Sequence, residues 1–343
     1  MRILIASTFT PFASNADLRV ADTLRRELIR RGYNCDTALL PFSDRWSDYA
    51  SQTTALRLID VTESCGNRID RLITIRTPAH ALRHPHKVAW FLDHNRTYDR
   101  LDARPLRNSD ALNDRHGRDM MRYSDELYLT ECRHIYSGSF ALANRLQDFN
   151  GIHHDAVLYP PLREDHPFRP GPFGDYFLVA GRTDPNGRAN FLSDALAHTD
   201  PQVKLVVANR DASDGVPGAR TPTVSGRIRY IGATSEEERA EWTAGCCGII
   251  VLVQNLECHG AEIFEAFQSA KPILALGSCN GDASLVGHNE NGFICSPTPE
   301  SLGHAMTAFW QNREAGEALG RAGRACLTRK GIHWDRVIGK LLA

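Results

Sequence analysis

Short apolar runs alternate with amphipathic segments along most of the 343-residue chain. In the N-terminal half, four runs have the length of a buried strand, at 2–7, 71–75, 87–92 and 126–130. Between the first two runs, leucine, isoleucine and alanine recur at helical spacing until Gly32, where a helix would stop. This alternation predicts a parallel sheet with crossover helices, which is the α/β class.

A cluster of prolines interrupts the pattern, since five of the 17 prolines fall within 160–172. Proline is excluded from helix interiors and central strands, so we predict a linker at 161–175 between domains at 1–160 and 176–330. The apolar residues of 331–343 have helical spacing and predict a terminal helix that packs back on the N-terminal domain. The strands expected in the second domain are 176–181, 203–208, 227–232, 248–253 and 272–276.

Composition and charge exclude several classes of protein. The net charge of -1 gives no reason to expect nucleic acid as a partner. The nine cysteines lack CxxC spacing, so they predict free thiols in a reducing cytoplasm rather than a zinc site or a disulfide framework. The longest apolar runs are too short for a membrane span and the N-terminus lacks signal-peptide features. We therefore expect a cytoplasmic protein, with any membrane contact peripheral and at the inner face.

The stretch LECHGAEIFEAFQSAKPILAL (256–276) carries the strongest chemical signal. His259 and Gly260 precede a helix-forming run, and the free amides at a helix start can receive an anion. Glu257 lies in the loop and Glu265 lies inside the helix, so the two carboxylates would reach different parts of one elongated ligand. A nucleoside diphosphate sugar has that order of hydroxyls, pyrophosphate and hydroxyls. The alternative is two glutamates that lie on a solvated surface by chance.

A second segment, GRTDPNGR (181–188), follows the first strand of the second domain. Arg182 and Arg188 flank a Pro-Asn-Gly turn, and two guanidinium groups in one cleft would hold a pyrophosphate. The alternative for Arg188 is that it starts a helix and points to water.

With these segments in place, the chain resembles the retaining glycosyltransferases of family 4, which have the GT-B fold of two Rossmann-like domains facing across a cleft. Its Glu-x7-Glu motif is similar to Glu257–Glu265, and the continuation at Ala266 and 271–273 also matches. The resemblance covers almost the whole chain and is strongest from 176 to 300. The other similar segments are 139–146, 157–162, 181–188, 231–242 and 289–302.

The resemblance implies a role for each residue on the donor side. Glu265 would bind the ribose hydroxyls and Glu257 the hydroxyls of the transferred sugar, while Arg182 and Arg188 would hold the pyrophosphate. The residues expected to line the sugar and phosphate site are Gly181, His259, Gly260 and Ala261.

On the acceptor side the resemblance is thinner. The family places a histidine after an N-terminal strand, facing the transferred sugar, and His94 occupies that position here. The alternative is a capping or surface histidine. Ser14, Asn15 and Asp17 replace the family's Gly-Gly loop and are the candidates for acceptor contacts. Cys258-His259-Gly260 stands where the family has Gly-Phe-Gly, which predicts an altered sugar pocket.

The implied activity is retaining transfer of a sugar from a nucleoside diphosphate sugar, with UDP favoured over GDP, to a hydroxyl acceptor. No cofactor is expected beyond this co-substrate. No metal site is expected either, because the sequence has no Asp-x-Asp triplet. Two alternatives stay open: a nucleotide-sugar epimerase of the same fold, and a protein that binds a nucleotide sugar without transferring it.

Overall fold

A computed structural model describes residues 1–11, 16–43, 46–92, 110–180, 188–209, 223–252, 261–277 and 285–343. The chain divides into two compact units. The first comprises Met1–Pro160 together with Trp334–Ala343, and the second comprises Pro161–His333. Each unit is built on its own sheet, as the restart of the hydrophobic pattern predicts.

The first unit contains a six-stranded sheet in the order β2-β1-β5-β6-β7-β8, and every neighbouring pair is parallel. Strands β1, β5 and β6 are the predicted runs, whereas β2, β7 and β8 were not predicted. Strands β3 and β4 form a separate hairpin. The bounds are β1 (Arg2–Phe9), β2 (Asn34–Pro41), β3 (Glu63–Ser64), β4 (Asn67–Arg68), β5 (Arg71–Thr74), β6 (Lys87–Phe91), β7 (His134–Ser137) and β8 (Ala156–Val157).

The helices of the first unit include α1 (Ala16–Arg30), which ends just before Gly32 as predicted. The strand predicted at 126–130 is wrong, because residues 126–129 are the end of the long helix α3 (Asp110–Leu129). Met121, Asp125 and Leu129 are buried at successive helical turns, whereas Leu127 is 49% exposed, so the residues of the apolar run lie on different faces of that helix. The bounds of the others are α2 (Trp46–Arg57), α3 (Asp110–Leu129) and α4 (Phe140–Arg145).

The second unit contains a seven-stranded sheet in the order β11-β12-β10-β9-β13-β14-β15. All pairs are parallel except β11 with β12, which is antiparallel. Without β11, the order is that of the doubly wound dinucleotide-binding fold. The bounds are β9 (Tyr176–Ala180), β10 (Lys204–Asn209), β11 (Thr223–Ser225), β12 (Ile228–Ala233), β13 (Gly248–Val251), β14 (Ile273–Leu276) and β15 (Gly292–Cys295).

Helices cover this second sheet, and their bounds are α5 (Arg188–Ala197), α6 (Glu236–Gly245), α7 (Ala261–Gln268), α8 (Pro299–Gln311) and α9 (Arg313–Arg329). Among the described helices of both units, none combines the length and the apolar character that a membrane span requires.

The C-terminal helix α10 (Trp334–Leu341) belongs to the first unit. Its apolar face joins the core of that unit, where Trp334 meets Trp90 edge to face at 6.3 Å between ring centroids. Arg71 Nη2 donates to the carbonyl oxygens of Leu342 and Ala343, each at 2.9 Å, and so pairs carbonyl groups left open at the end of the helix.

The proline-rich segment 161–175 lies within the second unit, so the boundary between the units is at Pro160 and Pro161. Phe168 is buried there, and Lys271 Nζ donates to the carbonyl oxygens of Gly171 at 3.1 Å and Pro172 at 2.7 Å. A buried ammonium with two backbone partners fixes this part of the segment on its own unit.

Candidate functional site

The strand order of the second sheet identifies the edge at which a ligand would bind. In doubly wound sheets this is the carboxyl edge at the point where the strand order reverses. Here that point lies between β9 and β13, which are parallel neighbours with Ala180 opposite Val251. The segments 181–187 and 253–260, which follow these two strands, carry most of the predicted donor-binding residues.

Many of the predicted site residues lie outside the described residues: Ser14, Asn15, His94, Gly181, Arg182, Glu257, His259 and Gly260. Their roles therefore stay predictions. Four others lie within described elements. Arg188 is the first residue of α5 and Ala261 the first residue of α7, while Glu265 and Asp17 lie on α7 and α1.

Helix α7 positions Glu265 and is buried along nearly its whole length, from Glu262 to Phe267. Helix α9 packs closely against it, because a Cβ at Gly323 would come within 2.3 Å of Phe267 Cδ1. Glu262, in the first turn, is a second buried acid that the sequence analysis did not identify. A carboxylate there is favoured by the partial positive charge at the helix start.

Arg239 is the described cationic partner of Glu265. Its Nη2 lies 3.4 Å from Glu265 Oε1, and the side chains of the two residues are only 13% and 4% exposed. Burial of a carboxylate is costly unless a cation or a hydrogen-bond donor pairs with it, and Arg239 provides such a partner. The pair connects α6 to α7 at the carboxyl edge of the sheet.

The start of α6 determines where Arg239 lies. The Ser235 hydroxyl accepts from the Glu238 amide, and the Glu238 carboxylate accepts from the Ser235 amide, which together form a capping box. One turn later, Arg239 Nη1 donates back to the carbonyl oxygens of Thr234 and Ser235, both at 3.3 Å. Arg239 was not among the predicted site residues, although the capping pattern SEEE locates it one turn into a helix after β12.

Asp17, the described acceptor-side candidate, lies in the first turn of α1 and is buried. Its Oδ2 is 4.0 Å from Arg76 Nε, and Arg76 follows β5, the strand next to β1. The carboxyl ends of β1 and β5 are also connected by the Thr8 hydroxyl, which donates to the Thr77 carbonyl oxygen at 2.8 Å. Asp17 therefore has an ion-pair partner within its own unit.

Within the described ranges, no group of three or more His, Cys, Asp or Glu side chains could hold a metal ion.

Comparison with known proteins is consistent with this geometry. Residues 164–325, almost all of the second unit, match the family described as glycosyl transferases group 1. A comparison with curated proteins finds no match.

Solved structures match over the whole length. Sucrose-phosphate synthase from Thermosynechococcus elongatus has a TM-score of 0.69 at 14% identity, with 99% of this chain and 98% of that chain covered. HepE from Anabaena in complex with UDP has a TM-score of 0.67 at 14% identity, covering 100% and 99%. A glycosyltransferase from Rickettsia africae has a TM-score of 0.64 at 12% identity, covering 99% and 98%.

At these identities the structural matches establish the fold. The chain has the GT-B fold of glycosyltransferases, and its second unit is similar in sequence to the glycosyl transferases group 1.

Proposed function

We propose that this protein transfers a sugar from a nucleoside diphosphate sugar to a hydroxyl acceptor. The observation that carries the proposal is the buried Glu265 carboxylate, which α7 and Arg239 hold at the carboxyl edge of a sheet with dinucleotide-binding strand order. The match of residues 164–325 to glycosyl transferases group 1 supports the same activity.

On the donor side, Glu265 accepts hydrogen bonds from the ribose hydroxyls, because a carboxylate has lone pairs for two neighbouring hydroxyl groups. Glu257 binds the hydroxyls of the transferred sugar. Arg182, Arg188 and the amides at the start of α7 hold the pyrophosphate, where guanidinium groups and the helix dipole both favour negative charge.

UDP is the favoured nucleotide. The support comes from HepE, which has the same fold and has been solved with UDP and with UDP-glucose, the latter with a TM-score of 0.67 to this chain. UDP-glucose is therefore the first donor substrate to test.

The transfer retains configuration and proceeds on the front face of the sugar. The leaving phosphate accepts the proton of the acceptor hydroxyl, so no protein side chain is assigned as general base. Charge that develops on the diphosphate is stabilised by Arg182, Arg188 and the start of α7, without a metal ion.

Turnover of UDP-glucose tests the proposal. The protein is incubated with UDP-glucose alone and with a panel of sugar, phenol and lipid alcohols, and UDP and glycoside products are measured by chromatography. The proposal predicts UDP release with one class of acceptor and a product with the anomeric configuration of the donor. An isomerised nucleotide sugar without acceptor would identify an epimerase instead. Binding of UDP-glucose without any turnover would favour a non-catalytic protein.

A further inference from the structure

We infer that Arg239 is a positioning residue for donor binding. It fixes the Glu265 carboxylate in the orientation in which that carboxylate accepts hydrogen bonds from the ribose hydroxyls. The inference rests on the proposed function and adds a residue that determines how strongly the site distinguishes a ribose from a sugar without hydroxyls.

The Arg239 guanidinium has contacts on two sides. Nη1 donates to the Thr234 and Ser235 carbonyl oxygens after β12, and Nη2 faces Glu265 on α7. Because Arg239 itself lies on α6, it connects the segment after β12, α6 and α7 at the carboxyl edge of the sheet. A planar guanidinium with this many contacts has little freedom to rotate.

One of these contacts is with the Glu265 carboxylate. At 3.4 Å, the Nη2–Oε1 contact is longer than the 2.7–2.9 Å that is typical of a charge-assisted hydrogen bond. The contact is therefore an ion pair to one carboxylate oxygen, which biases the orientation of the Glu265 side chain without enclosing both of its oxygens. A tight bidentate ion pair would instead compete with the ligand.

The guanidinium also has donor capacity left. Arg239 Nε is buried and finds no acceptor among the described residues. An unpaired buried donor is costly, so a ligand oxygen that reaches Nε would be favourable.

The test compares UDP with 2′,3′-dideoxy-UDP by titration calorimetry. The wild-type protein should bind UDP about 10–100-fold more tightly than the dideoxy analogue, as expected for hydrogen bonds to a charged group. In Arg239→Met this preference should fall below about threefold, while the affinity for the dideoxy analogue stays unchanged. Arg239→Lys, which keeps a cation, should recover part of the preference.

Arg321→Met is the control, because Arg321 is an exposed arginine on α9 of the same unit. It should keep the full preference. An Arg239→Met protein that also keeps the full preference would overturn the inference and leave the proposed function intact, and so would an equal loss of affinity for both ligands. Failure of the wild-type protein to bind UDP would overturn UDP as the donor nucleotide, and the inference with it.

Discussion

Gly320→Ala tests whether the close packing of α9 on α7 holds the candidate site in place. A Cβ at this position would lie 2.0 Å from the Ala270 carbonyl oxygen, whereas real Cβ contacts essentially never fall below 3.0 Å. This oxygen belongs to the backbone, so side-chain rotation cannot move it away. The Ala270 and Lys271 amides donate to the Phe267 and Ala266 carbonyl oxygens at 3.0 and 2.9 Å, which fixes the end of α7.

The two helices must therefore separate by about 1 Å, and a gap of that size forfeits up to half of the dispersion energy of the atoms that line it. Overpacking of this kind costs about 3 kcal/mol, and the higher helix propensity of alanine offsets about 1 kcal/mol. The expected net loss is about 2 kcal/mol, or about 4–8 °C in Tm for a unit of this size. Differential scanning calorimetry measures it directly.

Gly339→Ala provides the matched control. Gly339 lies on α10 with open space around the added methyl group, so the same substitution should stabilise the protein by about 0.5–1 kcal/mol through helix propensity alone. If Gly320→Ala raises Tm as Gly339→Ala does, the packing of α7 against α9 is not as tight as described, and the positioning of Glu265 loses its support.

Three further predictions concern pH, thiol reactivity and metal removal. Burial lowers the pKa of His166, and the nearby Arg169 and Arg163 lower it further, while Asp165 opposes them. As pH falls, the unfolded chain therefore binds a proton at this histidine before the folded chain does, and the free energy of unfolding should decrease below about pH 6.5. His166→Asn should reduce the drop in Tm between neutral and acidic buffer; an unchanged drop would refute this. Burial raises the pKa of the Cys246 thiol to about 11. Iodoacetamide at mildly alkaline pH should therefore label the exposed Cys65 and spare Cys246 in the native protein, and peptide mass spectrometry measures both. Excess EDTA should leave turnover unchanged, and a loss that Mg²⁺ restores would contradict the proposed metal-independent mechanism.

Much of the fold could be predicted because buried parallel strands leave continuous apolar runs in the sequence. β9, β10, β12, β13 and β14 were all identified in this way. β2 and β8 escape this signal, since β2 is exposed at four of its eight positions and β8 has only two residues. The inner strand β7 was also missed, and it has only four residues. The error at 126–130 has a different origin, because a short apolar run does not by itself distinguish a strand from part of a helix.

The candidate site was predictable only in part. The sequence correctly predicts that Glu265 lies inside a helix after β13, whereas its role in donor binding stays a prediction. Arg239 and Glu262 could not be identified, because their importance depends on burial and on a contact between α6 and α7, which are separate in the sequence. A charged residue on an amphipathic helix is normally solvated, and only the packing of α7 shows that these are not.

Calorimetric titration of UDP into the wild-type protein and Glu265→Gln tests the central claim most directly. Glutamine keeps the shape of the side chain but removes the charge that strengthens the bonds to the ribose hydroxyls. The account predicts that UDP binds the wild-type protein and binds Glu265→Gln at least about tenfold more weakly, while Glu314→Gln, at an exposed position on α9, binds as the wild type does. Equal affinity of the wild-type and Glu265→Gln proteins for UDP would contradict it.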